Sequence, residues 1–192
     1  MRTRKTVAAR LTVTLLAIVV SLGLAGCVQP SPHVIPTSAP STKPVFASDA
    51  AALAAAKKAY VAYLAVSDEI GNDGGTNPQR IAPLVTKDRI SIEVKQFDSF
   101  AKTGDHFSGS SSFSMFHLQQ LTQSGGNVSL SAYACDDVSN SRVIDSTGAD
   151  ITPTTRRDVY PIQIEFRNLK AGSSTLLVEG STLWSGQDFC AS

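Results

Sequence analysis

The sequence predicts an α+β domain, with helices first and antiparallel strands after them. Three observations predict it. The stretch "AALAAAKKAYVAYLAVSDEI" is rich in strong helix formers and repeats its apolar positions at helical spacing. After Gly104 the apolar period changes to two, as in Val128, Leu130, Ala132 and Ala134, and again in Ile162, Ile164 and Phe166. The two kinds of segment are segregated along the chain, which favours helices packed on one face of a sheet. The expected form is one long N-terminal helix and short helices on a curved antiparallel sheet of four to five strands.

Ser48 is a plausible N-cap, with Asp49 in the first turn where the helix dipole favours a negative charge. Leu53, Ala56, Tyr60, Leu64 and Ser67 then share one side of the first helix, which should end near Gly71–Gly75. Asn77-Pro78 opens a short second helix, since proline at the first helical position loses no hydrogen bond. Pro83 either ends that helix or begins another turn. Ile90, Val94, Phe97 and Ala101 fit a third helix from Lys87 to Lys102, although Ile90, Ile92 and Val94 also alternate like a strand. "SSSFSMFHLQQL" reads as a strand bent around its serines, and "RVIDSTGADI" as a short strand or hairpin turned at Ser146–Gly148. Gly125-Gly126 joins two strands. Leu176 and Val178 share a face with Trp184 if their strand runs through Gly180.

The N-terminal 26 residues have the parts of a secretory signal. Arg2, Arg4, Lys5 and Arg10 precede an apolar run of 14 residues, Leu11–Leu24, which is short for a membrane span. Ala25 and Gly26 lead to Cys27. Leu24-Ala25-Gly26-Cys27 resembles the bacterial lipobox, and the resemblance implies cleavage before Cys27 and acylation of that residue. Two or three acyl chains anchor a protein stably, at about 0.8 kcal/mol per buried CH₂. Residues 27–47 hold Pro30, Pro32, Pro36, Pro40 and Pro44 among Ser and Thr, a tether composition that cannot build a core. Residues 48–192 are then one domain. The expected address is the extracytoplasmic face of the cell membrane, with lipid as one partner through Cys27.

Removing residues 1–26, which carry four cations and no acid, changes the formal charge from +1 to −3. A nearly neutral chain of mixed signs has no footprint for nucleic acid, and none is expected as a partner. A lone pair of cysteines outside the cytoplasm usually oxidises, so Cys135 and Cys190 are expected to form a disulfide rather than two free thiols.

"AAKKAYVAYLAVSDEI", "NPQRIAPLVT", "AYACDDVSNSRVIDSTG" and "SGQDFC" together resemble small actinobacterial lipoproteins of the nuclear-transport-factor-2-like superfamily. That superfamily includes SnoaL-type polyketide cyclases and ketosteroid isomerase. The resemblance implies a curved sheet wrapped around a long helix, forming a cone with a pocket. A cystatin-like helix-and-sheet domain shares much of the same element order. Superfamily enzymes place an Asp or His, often with a Tyr, inside the cone. No motif here matches well enough to carry those roles onto numbered residues, so no catalytic residue is assigned.

Tyr60 could donate to a ligand carbonyl and Trp184 could stack on a ligand, which makes them the guessed pocket residues; each is commoner as a core aromatic. Asp136-Asp137 point to opposite faces of a strand and make a poor acid–base pair. Asp145-Ser-Thr-Gly148-Ala-Asp150 lacks the ligand count and closing Glu of a calcium loop, and His106 and His117 lack zinc-ligand spacing, so neither a metal nor any other cofactor is expected. No G-x-S-x-G elbow or phosphate-binding loop is present. Arg156-Arg157 read as a solvated loop. Two functions remain. One is a non-enzymatic envelope module that binds a protein partner or a small apolar ligand. The other is a pocket enzyme of the cyclase or isomerase type, which would need a titratable group of perturbed pKa in a deep pocket.

Overall fold

A computed structural model describes residues 43–191. The signal segment, Cys27 and most of the tether lie outside the described residues. No helix among the described residues is long and apolar enough to cross a membrane.

Helix α1 spans Asp49–Asn72, and the Ser48 hydroxyl caps it by accepting from the Ala51 N–H at 3.2 Å. Its buried stripe is Ala52, Ala56, Tyr60, Ile70 and Gly71. The small residues in that stripe let the helix lie close to the sheet. A 3₁₀ turn follows at Pro78–Leu84 with Pro83 inside it, then α2 at Lys87–Thr103. Gly104, at φ 78°, ends α2 in the left-handed conformation that glycine adopts without strain, and its N–H bonds back to the Phe100 carbonyl at 2.9 Å.

Six strands follow: β1 His106–Gly109, β2 Ser112–Ser124, β3 Asn127–Asp137, β4 Ser141–Ile144, β5 Val159–Asn168 and β6 Leu176–Leu183. Four of them form an antiparallel sheet in the order β2-β3-β5-β6, and β1 pairs with β4 as a separate ribbon. The three helices pack with these sheets as an α+β domain with no closed barrel. The two-residue turn Gly125-Gly126, at φ 58° and 80°, joins β2 to β3 with the positive dihedrals that favour tight hairpins.

The inward face of the sheet carries the expected alternation. Val128, Leu130, Ala132 and Ala134 of β3, Ile162, Ile164 and Phe166 of β5, and Leu176 and Val178 of β6 are buried together with the α1 stripe. Each large aliphatic or aromatic side chain among them contributes roughly 1.5–3 kcal/mol by leaving water.

The structure departs from the sequence-based expectations at two places. First, the tether does not run to residue 47. Phe46 is buried in the core, and the Gln123 amide clamps its backbone, accepting from the Phe46 N–H at 2.8 Å and donating to its carbonyl at 3.1 Å. A Val-Phe pair beside the helix cap is apolar enough to leave water, whatever the composition before it. Second, Trp184 does not share a face with Leu176 and Val178. In the ladder Glu165 faces Gly180 and Phe166 faces Val178, which leaves Glu179 as an extra, bulged residue. One inserted residue reverses the side of everything after it.

Candidate functional site

The densest grouping of polar and aromatic side chains lies between α1 and the sheet, toward the ends of β3 and the beginnings of β2 and β5. Tyr60 enters from α1, Phe113 and Phe116 from β2, Asp136 from β3 and Tyr160 from β5, with Phe166 farther along β5 opposite Leu130. Phe113 and Phe116 are three residues apart and would lie on opposite faces of a regular strand. A bulge at Met115, whose φ is 50°, makes two β2 residues oppose Ala134 and turns both rings inward. The Tyr60 ring packs on Phe113 at 5.0 Å and on Phe116 at 6.2 Å, and Phe116 reaches Phe166 at 6.3 Å. The interior is therefore filled by rings in contact with one another.

Asp136 is the ionisable member of this group. Tyr60 Oη donates to its Oδ1 at 3.4 Å. Burial pushes the Asp136 carboxyl up to about 6; the Tyr60 and Tyr160 hydroxyls oppose that shift, and Asp68 and Asp137 add to it. Burial, reinforced by the Asp136 charge, raises both tyrosine hydroxyls above their ordinary range, Tyr60 strongly. The opposite-face geometry expected for Asp136 and Asp137 holds, but it did not reveal that Asp136 faces the interior. The signal available in the sequence was the parity of Asp136 with Ala132 and Ala134.

A second polar contact ties the helices together. Glu93 of α2 is 2% exposed, and its Oε1 accepts from Tyr63 Oη at 3.1 Å and from Arg89 Nε at 2.7 Å. Burial and then the Glu93 charge raise the Tyr63 hydroxyl above its usual range. The Asp68 carboxylate accepts from the Ser111 N–H at 2.8 Å and hydroxyl at 2.9 Å, which fastens the end of α1 to the start of β2.

Trp184 lies elsewhere. It packs edge-on against Tyr133 at 4.8 Å, and Phe189 tilts onto the same ring at 5.8 Å. Tyr133 and Cys135 face away from α1, and the Cys135–Cys190 disulfide, with Cα atoms 5.6 Å apart, fastens the C-terminal strap over that side. Tyr60 and Trp184 thus occupy opposite faces of the sheet and do not line one pocket. The bulge at Glu179 is the reason.

The other candidates take structural roles. Asp145 accepts from the Thr147 N–H and hydroxyl and from the Ala149 N–H, closing the turn. His106 lies in β1 opposite Ile144, and His117 lies in β2 opposite Tyr133. Arg156 donates to the Ser141 and Val138 carbonyls, and Arg157 pairs with Asp188.

Concave surfaces occur on the outside. A groove of about 300 Å³ runs between Tyr160, Leu183, Trp184, Arg157 and Asp188. A broader one of about 520 Å³ lies beside α2 along Lys87, Ile90, Val94 and Asp98.

No family model matches the chain, and no curated protein matches it. Among solved structures, the intermembrane space region of the chloroplast protein ARC6 is similar, with a TM-score of 0.50 and 10% identity over 70% of this chain and 97% of that one. At that identity the likeness shows the fold alone. A structure from Catenulispora acidiphila in complex with S-DNPA aligns with a TM-score of 0.41 and 12% identity over 68% of this chain and 92% of that one.

Proposed function

We propose that this chain is a lipid-anchored extracytoplasmic protein of nuclear-transport-factor-2-like type, acylated on Cys27, whose domain serves as a non-enzymatic binding or accessory module for a protein of the cell envelope. The observation that carries the non-enzymatic part is the filled interior. Tyr60, Phe113, Phe116 and Phe166 occupy the space where a pocket enzyme would hold its substrate. The grooves open to solvent instead. The anchor part rests on Leu24-Ala25-Gly26-Cys27 and the proline-rich stretch after it.

A second reading has its own observation. Asp136, raised to about 6 beside two protonated tyrosines, has the properties of a general base in a pocket enzyme of the cyclase or isomerase type. Titration with an apolar fluorescent dye separates the two. The accessory module leaves the dye dark in folded protein, because its interior is already packed. One dye per chain, bound with emission that responds to Tyr60→Ala, supports the enzyme reading.

A further inference from the structure

We propose that one end of the domain, formed by Lys43 and the two hairpin tips at Gly125-Gly126 and Leu169–Gly172, rests on the anionic headgroups of the bilayer that holds the chain. This rests on the lipid-anchor reading of Cys27 and adds which surface faces the lipid.

Three observations meet at that end. The chain enters the folded unit there: Lys43, Pro44 and Val45 lie against Gln123, Ser124 and Gly126. The two hairpin tips are joined there, with the Gly172 N–H donating to the Gly126 carbonyl at 2.7 Å. The β5–β6 tip also presents Leu169, 57% exposed, next to exposed Lys170, while Lys43 is exposed beside the other tip. An exposed leucine next to one lysine, with a second lysine at the adjoining tip, suits a headgroup layer, where the ammonium groups meet phosphate and the isobutyl group enters the acyl boundary.

The opposite end of the domain carries acids interleaved with cations. The register puts Asp137 at the far end of β3, and Asp105, Asp145 and Asp150 belong to the segments bordering the β1–β4 ribbon at that end. The end of α1 joins them, with Asp68 fastened to Ser111 and the Asn72 amide donating to the Gly109 carbonyl. Arg142 pairs with Asp150 there and Arg156 with Asp158, so the orientation rests on the attraction of an anionic membrane for Lys43 and Lys170 rather than on repulsion of the far end. Only fifteen residues, 28–42, separate Cys27 from Lys43. Fully extended at about 3.1 Å per residue they reach roughly 50 Å, so a weak headgroup attraction acts at high effective concentration.

The test is lysine footprinting of the full mature protein in vesicles. Protein purified from membranes is reconstituted into phosphatidylcholine alone, or with phosphatidylglycerol, and briefly acetylated with a membrane-impermeant reagent. Peptide masses report each lysine and the state of Cys27. In anionic vesicles at low salt, Lys43 and Lys170 should label at least threefold more slowly than in phosphatidylcholine, while Lys102 at the far end of α2 labels equally in both. Half-molar salt should abolish the difference. Equal labelling of Lys43 and Lys170 in the two lipids, or protection of Lys102 instead, overturns the orientation with the anchor intact. An unacylated Cys27 peptide overturns the anchor and the orientation with it.

Discussion

The hydroxyl of Tyr60 and the carboxylate of Asp136 meet at 3.4 Å across the domain interior, one from the helix and one from the sheet. An ionisable acid in that position is held at a cost to stability, because burial disfavours its charged form.

That cost gives a pH dependence of definite sign. The folded Asp136 carboxyl titrates near 6, above the ordinary carboxylate value, so the folded state binds more protons in the window between them. The group's contribution is most favourable below that window and is lost as pH rises through about 6. Asp136→Asn should therefore stabilise the domain near pH 7.5 by about 2 kcal/mol and leave it unchanged near pH 4. Denaturant titrations of both proteins at the two pH values check this. A variant less stable than wild type at pH 7.5 contradicts it.

The disulfide should carry a large share of the stability. Cys135 and Cys190 are 55 residues apart, and loop closure of that size is worth about 4 kcal/mol in the chain-entropy model. Cys190→Ser should lower the denaturation midpoint by a corresponding amount. A midpoint shift equivalent to less than about 1 kcal/mol would show that the native strap geometry, rather than the closed ring, holds the C-terminus.

Glu93 is the polar strut between the helices. Glu93→Ala leaves the Arg89 guanidinium and the Tyr63 hydroxyl without their shared acceptor and should cost roughly 2–4 kcal/mol. A double-mutant cycle with Tyr63→Phe should return a coupling of about 1 kcal/mol or more. Additive losses would mean that the two residues act independently.

Gly186 bears on the face occupied by Trp184. A Cβ built there would lie 2.5 Å from the indole Nε1, so Gly186→Ala must displace the ring from Tyr133. Trp184 is the chain's one tryptophan, and its emission should move to longer wavelength in the variant. An unchanged spectrum contradicts the strap packing.

The helices and the buried faces of β3 and β5 were legible because their periods are uninterrupted. Ser48, Pro78 and Gly104 punctuate the helices where capping chemistry requires, and Ile162, Ile164 and Phe166 alternate without a break. The edge strands were legible as strands, but the facing of their side chains was not, because bulges at Met115 and Glu179 reset the parity on which alternation depends. That hid the joint burial of Phe113 and Phe116 and put Trp184 on the outer side. The β1 strand is only four residues long and ends at Gly109, too short for a period to show. Asp136, read as half of an adjacent pair, has the inward parity of Ala134.

The intact mass of the protein extracted from the membrane fraction tests the central claim most directly. The account predicts a chain beginning at Cys27, carrying two or three acyl chains, and lighter by two hydrogens for the Cys135–Cys190 bond. A full-length, unacylated polypeptide recovered from the cytosol with all three thiols free would contradict it.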